Sequence, residues 1–435
     1  MRRIPIFLML AFLAVSTIGA EALSLDDAVE EAKANNISLE IARMQLKQNL
    51  RNASTISSWL PDFTLNGSIT TSASAIDRSW SSPMSATMNI GVSYSIGTSD
   101  IGTAEKARIN ETIANLSYAM NAASLEESVT IAYINLQGMI ISIESSRLNC
   151  SSLQRSLDST KEKYESGQAS ELDLYEAELA LREAEYNLKA LQDSYDISLD
   201  SFRTLTGISD DEIELVTIEY AEELSLPSAE ELIAKHSSSI LSLQSADASV
   251  RKAENSLKST KISSYYPSVS FSAGWDLTGS ANVSSSWNAG TSASDNFYGR
   301  LTVSVPISSY IPGSSGNNSI KNAEDDVEIA KLEVANQRQA AISEIRGDIA
   351  TIRQQDENIA LAEQRSEIAN KTLELRKEAY DAGISSLSDL LTAENNVLSA
   401  QLSLDSARIT QLLSVYNLCF DLGITREELE AEYSI

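Results

Sequence analysis

The stretch YESGQASELDLYEAELALREA, residues 164–184, interrupts an otherwise helical pattern with a glycine, and YDAGISSLSDLLTAENNVLSA, residues 380–400, repeats the interruption. The two glycines are Gly167 and Gly383. Glycine adopts the left-handed conformation that ends a helix without a steric penalty. Each stretch therefore predicts a helical hairpin, in which a long helix ends, the chain turns at a tip and a second helix returns.

Most of the remaining chain also occurs twice, which predicts an internal two-fold repeat. The expected repeats are residues 23–227 and 228–435, each with a helix, a β-hairpin, a long helix, a tip and a returning helix. The matching segments are 164–208 with 380–424, SSWLP at 57–61 with SSYYP at 263–267, and SLDDA at 24–28 with SAEEL at 228–232. The expected helices are 24–58, 103–165 and 171–206, then 228–262, 319–381 and 386–422. The expected hairpins are 61–97 and 267–307, with turns at 73–85 and 278–298 and tips near 167 and 383.

Apolar residues in the returning helices step by three and four positions alternately, which is the spacing of a coiled coil. A middle helix of about 60 residues would be about 90 Å long, and ordinary globular domains have no helix of that length. The pattern favours a coiled-coil helical tube over the alternative, an amphipathic face on a globular core. The stepping residues are Leu174, Ala177, Leu181, Ala184 and Leu188, and at equivalent positions Leu390, Ala393, Val397, Ala400 and Leu404.

The hairpin segments alternate apolar and polar residues with a period of two, as strands with one apolar face do. Their lengths are close to the ~9–11 residues of a tilted membrane-spanning strand. Trp59, Trp80, Trp275 and Trp287 lie in or beside the hairpins, where tryptophans of membrane interfaces are found. The alternative is a soluble β-sandwich with tryptophans in its core.

Four strands cannot close a barrel, and unpaired strand edges are not tolerated in hydrocarbon. Membrane insertion would therefore require several copies of the chain. Three copies would supply twelve strands, enough to leave a lumen, although the strand count does not by itself select three. The expected fold class is mainly α with membrane β.

Composition and motifs argue against other classes of protein. A formal net charge of −28 argues against a nucleic-acid partner. Arg2 and Arg3 precede an apolar run and Ala20-Glu21-Ala22 follows it, so we expect residues 1–22 to be a cleaved signal peptide. The chain has a single histidine, His236, and none of the common nucleotide-binding, metalloprotease or serine-hydrolase motifs. We expect no enzymatic activity, no cofactor and no metal site.

The chain resembles the TolC-like outer membrane efflux protein family. The resemblance rests on LSLDDAVEEAKANN at 23–36, on SSWLP and SSYYP, and on the pattern Y-x-x-G-x-x-x-x-x-D-L at 164–174 and 380–390. It implies a homotrimer in the outer membrane, with a twelve-stranded β-barrel above a periplasmic helical barrel. It also implies two partners, a periplasmic adaptor (membrane fusion) protein and an inner-membrane transporter of the RND, ABC or MFS type, and export of small molecules or of polypeptides in type I secretion.

The tips are the candidate functional site. Asp173 and Asp389 fall in the first turn of the returning helices, where a carboxylate is stabilised by the helix dipole. That structural role is one interpretation. The resemblance implies another for Asp389, as part of a threefold ring of carboxylates at the periplasmic entrance, and assigns Asp173 to links that close it.

Two positions depart from the best-known family members. Ser385 stands where an arginine can latch the entrance, and Thr392 where a second acidic ring can lie. We therefore expect closure to depend on packing and on hydrogen bonds of Tyr164 and Tyr380 more than on ion pairs. The chief alternative function is that of a secreted or periplasmic coiled-coil structural protein without a channel.

Overall fold

The computed structural model describes residues 22–53, 62–71, 84–97, 103–208, 213–220, 224–283 and 289–433. The predicted signal peptide, apart from Ala22, lies outside the described residues. Trp59, Trp80 and Trp287 lie outside them as well.

Long helices dominate the described chain. None of the helices in these ranges combines the length and the hydropathy needed to cross a membrane. The helices are α1 (Leu25–Asn35), α2 (Ile37–Ala53), α3 (Thr103–Glu165), α4 (Glu171–Thr206), α5 (Ala229–His236), α6 (Leu241–Tyr265), α7 (Ser315–Asp381), α8 (Leu387–Leu422) and α9 (Arg426–Tyr433), with a 3-10 turn at Ile307–Tyr310. The strands are β1 (Asp62–Thr71), β2 (Met84–Gly97), β3 (Ser268–Val283) and β4 (Ala289–Ser304).

The first predicted helix of each half is divided in two, so the expectation of single helices over 24–58 and 228–262 is wrong. Asn36 separates α1 from α2 with an extended backbone, φ −67° and ψ 122°. Its side-chain oxygen accepts a hydrogen bond from the amide of Leu39 at 3.1 Å, so Asn36 acts as the N-cap of α2. In the second half, residues 237–240 separate α5 from α6.

The long helices form a wall of four rows. α3 packs against α2 and α4 and also against α6 and α8, while α7 packs against α6 and α8. The order of rows is therefore α2 with α4, then α3, then α6 with α8, then α7. Two rows consist of one long helix, and the other two consist of two shorter helices placed end to end.

The end-to-end joints depend on glycine. α4 ends at Gly207 with φ +75°, and a Cβ on this residue would lie 2.6 Å from the Cβ of Asn35. The side-chain amide of Asn36 donates a hydrogen bond to the carbonyl of Leu205 at 2.8 Å. α8 ends at Gly423 with φ +67°, where a Cβ would lie 2.5 Å from the carbonyl oxygen of Ser239. The end of each returning helix thus abuts the residues that precede α2 or α6.

Three apolar clusters hold the wall together, one beside each joint and one near the tips. The cluster of the first joint is Ala28, Ala32, Val129, Tyr133, Leu136, Leu199 and Phe202. The cluster of the second joint includes Leu232, Ile233, Ile345, Ile352, Leu418 and Leu422. The tip cluster is Leu153, Ala177, Leu181, Ala184, Leu387, Leu390 and Leu391.

The described strands form one antiparallel sheet in the order β1-β2-β3-β4. Directly paired residues occupy the same face of a sheet. The register pairs Phe63 with Val92, Val92 with Trp275 and Trp275 with Phe297, and in the neighbouring row it pairs Thr64 with Gly91, Gly91 with Asp276 and Asp276 with Asn296. Apolar residues thus share one face, which is uncovered in a single chain: Phe63 is 78% exposed and Phe297 is 77% exposed.

The predicted turn at 278–298 is too long. β3 continues to Val283 and β4 begins at Ala289, with Thr278 paired to Ser294. Serine and glycine give this segment the composition of a turn, but the backbone groups of residues 278–283 pair across the sheet with those of residues 289–294. Likewise β2 begins at Met84, inside the turn predicted at 73–85.

The joints give a test with a matched control. Gly167 and Gly423 both have positive φ, but nothing lies within 4 Å of a Cβ on Gly167. Gly167→Ala should lower the free energy of unfolding by about 1–2 kcal/mol, because alanine is strained in the left-handed conformation. Gly423→Ala should lower it clearly more, because its methyl group also collides with the backbone of Ser239. Thermal unfolding followed by circular dichroism would measure both, and equal losses of stability would contradict the end-to-end joint.

Candidate functional site

The first tip is a glycine-terminated helix followed by a capped one. Gly167 has φ +75°, and the amide of Gln168 donates to the carbonyl of Lys163 at 2.7 Å. The hydroxyl of Ser170 accepts from the amide of Asp173 at 3.1 Å, and the carboxylate of Asp173 accepts from the amide of Ser170 at 2.8 Å. This reciprocal pair is a capping box, which satisfies two free amides at the start of α4.

The second tip repeats this construction with one additional donor. Gly383 has φ +73°, and Ser386 and Asp389 form the capping box of α8. The hydroxyl of Ser385 also donates to Oδ2 of Asp389, at 3.2 Å. Hydrogen bonds from the Ser386 side chain, the Ser386 amide and the Ser385 side chain hold the pKa of Asp389 below its ordinary value. Asp389 is exposed and stays ionised across the neutral range.

Direct contacts join the two tips of one chain. Lys163 Nζ lies 3.3 Å from Oδ1 of Asp381 and 3.6 Å from the centre of the Tyr380 ring. The hydroxyls of Tyr380 and Thr160 are 3.3 Å apart. The Lys163 side chain is 23% exposed and that of Asp381 is 60% exposed, so this contact between α3 and α7, hereafter the tip link, is partly shielded by protein.

The tip link is a contact within one chain, and it leaves the expectations about closure of the entrance as predictions. Tyr380 shares a hydrogen bond with Thr160, whereas Tyr164 lies 40% exposed. Thr392 is exposed and donates to the carbonyl of Ser388 within its own helix, at 2.7 Å.

Sequence reasoning missed Lys163, Asp381 and Thr160. The repeat alignment held a usable signal, because Ala379 occupies the position equivalent to Lys163 and Arg376 the position equivalent to Thr160. At the position of Lys163, therefore, only the first of the two equivalent hairpins carries a cationic side chain. Which residue it meets depends on how the hairpins pack, and that is a long-range property.

Other groups with potential chemistry do not converge on a site. Within the described ranges, no group of three or more His, Cys, Asp or Glu side chains could hold a metal ion. His236 lies at the contact between α5 and α9, with Nε2 3.6 Å from a carboxylate oxygen of Glu432. Trp275, in β3, is 44% exposed on the apolar side of the sheet.

These features define a class of protein: a wall of long paired helices that ends in linked hairpin tips and carries an antiparallel sheet with an uncovered apolar face. The family model for outer membrane efflux proteins matches residues 28–208 and again residues 233–423. The chain belongs to this family, whose members are transport proteins of the outer membrane with a helical part in the periplasm.

Individual relatives agree with this assignment. Outer membrane protein TolC of Vibrio cholerae is 24% identical over 323 residues, which cover 72% of this chain and 71% of that protein. The structure of CusC superposes with a TM-score of 0.71 at 15% identity and covers 92% of both chains. The Campylobacter jejuni CmeC outer membrane channel superposes with a TM-score of 0.68 at 18% identity and covers 94% of this chain and 88% of its own.

The tip link can be tested by hydrogen exchange. Lys163→Ala removes a partly shielded ion pair and a cation–π contact, which together should contribute about 1 kcal/mol. Backbone amides in both tips, residues 155–170 and 376–390, should then exchange about fivefold faster. Lys161→Ala, two residues away and exposed, is the control and should leave exchange unchanged. Faster exchange in the first tip alone would show that Lys163 does not join the two.

Proposed function

We propose that this chain is the protomer of a homotrimeric outer-membrane exit duct, which passes small molecules or polypeptides from an inner-membrane transporter to the exterior. The observation that supports this most is the combination, in one chain, of a helical wall and a four-stranded sheet with two open edges. The two family matches support an internal two-fold repeat, with residues 23–227 and 228–435 as its units.

The sheet requires partners if it is to lie in a membrane. β1 and β4 are each paired along one side only among the described strands. Each unsatisfied backbone group costs several kcal/mol in hydrocarbon, so both edges have to be paired. Three copies, with β4 of one chain joined to β1 of the next, would close a barrel of twelve strands with the apolar face toward lipid.

The helical wall has matching open sides. α7 exposes Leu361, Ile368 and Leu375, which are 46%, 65% and 66% exposed and spaced seven residues apart. α4, at the other side of the wall, exposes Leu172 and Leu179, also seven apart, to 65% and 57%. Rows of apolar residues at heptad spacing are typical of helices that pack against other helices. Three walls joined side by side would form a closed tube continuous with the barrel.

The oligomer gives the first test of the proposal. Native mass spectrometry in detergent should give three times the mass of the mature chain. Ile368→Asp with Leu375→Asp places charges on the open side of α7 and should dissociate the complex or lower its melting temperature by several degrees. Leu148→Asp is the control, because Leu148 is 62% exposed on the central helix α3. A monomer, or an oligomer unaffected by the charged pair, would contradict closure through α7.

The tips fit the periplasmic entrance of such a duct. They lie at the end of the wall away from the sheet, and Ile384 is 83% exposed at the second tip. A periplasmic adaptor protein and an inner-membrane transporter of the RND, ABC or MFS type would assemble at this end. Gly167 and Gly383 turn the chain there, and the tip link holds the two hairpins of each protomer together.

Asp389 fits a selectivity ring at this entrance. Threefold repetition would place three ionised carboxylates around one opening, where clustered charge attracts cations and repels anions. Hydrogen bonds within one chain hold the pKa of Asp389 below its ordinary value, so each protomer would bring an ionised carboxylate to the ring at neutral pH. The capping role of Asp389 is compatible with this, since one carboxylate can cap the helix and still contribute its charge.

Single-channel recording separates these two roles. Asp389→Ala should lower the cation-to-anion permeability ratio, because it removes the charge. Ser386→Ala is the matched control, since it removes the capping hydroxyl and leaves the carboxylate, so selectivity should be retained. An unchanged ratio in Asp389→Ala would overturn the ring, and an equal loss in both variants would assign the effect to helix capping.

A further inference from the structure

A buried carboxyl group that no part of the proposed duct requires lies on α8, one turn beyond the tip-cluster residues Leu390 and Leu391. Glu394 lies on α8 and is 9% exposed. Its Oε1 accepts a hydrogen bond from the hydroxyl of Ser152 on α3 at 3.1 Å. Its Oε2 is fully buried and has no hydrogen-bond donor among the described residues. A carboxylate in such a place lacks most of the hydrogen bonds that water would give it.

Glu394 lies where the two hairpins meet, so its burial affects how closely they pack. α8 belongs to the second hairpin and α3 to the first, and the apolar residues around their contact, Leu153, Leu387 and Leu390, belong to the tip cluster. Any separation of the hairpins at this level would let water reach the carboxylate. The ionised form of Glu394 therefore opposes close packing of the hairpins, and the protonated form does not.

The surrounding charges do not cancel this effect. Arg155 on α3 and Lys377 on α7 act on Glu394 at a distance, but both are exposed, and neither forms an ion pair with it in the part of the chain described. α4 brings Ala177, Ala180, Leu181 and Ala184 to the cluster, and the titratable groups Cys150 of α3 and Tyr380 of α7 also pack against it. Asp405, the next buried carboxyl on α8, is eleven residues along, about 16 Å away.

We propose that Glu394 is a proton-controlled contact between the two hairpins, which pack most firmly when its carboxyl group is protonated and loosen when it is ionised. Burial raises the pKa of Glu394, against the Ser152 hydrogen bond and the two cations, which lower it. Because the folded-state pKa is raised, the packing is most stable at acidic pH and loses stability as the pH rises through that pKa. This property belongs to a single chain and does not depend on the duct function.

Hydrogen exchange at matched pH tests the proposal on the full-length oligomer in detergent. At neutral pH, amides of residues 148–158 and 387–398 should exchange about five- to thirtyfold faster in the wild type than in Glu394→Gln. At a pH below the ordinary glutamate value of about 4.3, where the raised pKa leaves Glu394 of the wild type protonated, the two should exchange equally. Comparison at the same pH removes the intrinsic pH dependence of exchange. Glu374→Gln, on the exposed part of α7, should match the wild type throughout.

Two further variants separate the effect of the Glu394 charge from effects of side-chain packing. Glu394→Leu tests the case in which the amide of glutamine disturbs the packing, and it should also slow exchange at neutral pH. Ser152→Ala removes the one hydrogen bond to the carboxylate, so it should speed exchange at neutral pH in the wild type and not in the Glu394→Leu background. If both Glu394 variants exchange faster than the wild type at neutral pH, the carboxylate stabilises the contact and the proposal is wrong.

Discussion

The structure depends on one constraint: two short helices must fit end to end along one long helix. α4 and α2 have 36 and 17 residues and accompany α3, which has 63. α8 and α6 have 36 and 25 and accompany α7, which has 67. At about 1.5 Å per residue, the first pair is ten residues, or about 15 Å, shorter than α3, and the second is six residues, or about 9 Å, shorter than α7. For each row to be continuous, the end of one helix must lie within a few ångströms of the residues that precede the next helix. Gly207 and Gly423 permit this, because glycine adopts a positive φ and has no Cβ to block the approach.

The joints determine what lies at each end of the wall. Because a returning helix ends beside the start of α2 or α6, the strands that follow those helices emerge at one end and the tips lie at the other. The short helices and the segment 213–220 collect beside the joints, where the hydroxyl oxygen of Tyr133 lies 2.7 Å from the carbonyl oxygens of both Leu23 and Val216. Sheet and tips are thus separated by the full length of the wall, which suits a protein whose two ends meet different surroundings.

Local signals predicted the tips well and long-range packing poorly. A glycine followed by a capping box occupies only a few consecutive residues, so the turns at Gly167 and Gly383 could be predicted from the sequence. The heptad residues of the tip cluster could be predicted as well. The division of the first helix at Asn36 could not be predicted from local sequence, because the Asn36 side chain that caps α2 also bonds to Leu205 in α4. The extent of β3 and β4 depended on pairing between strands. The tip link required knowledge of how one hairpin lies against the other.

Equivalent positions in the two halves have acquired different surroundings, and the functional candidates lie at these differences. Ser385 gives Asp389 an additional hydrogen bond, whereas Ala169, at the equivalent place in the first tip, cannot give one to Asp173. Lys163 bonds to the second tip, and its counterpart is Ala379. Glu394 is buried against α3, whereas Glu178 on α4 is exposed. The common pattern specifies helices, turns and caps twice over. The side chains that depart from it determine which capping aspartate has an additional donor, which hairpin supplies the link and which contains the buried acid.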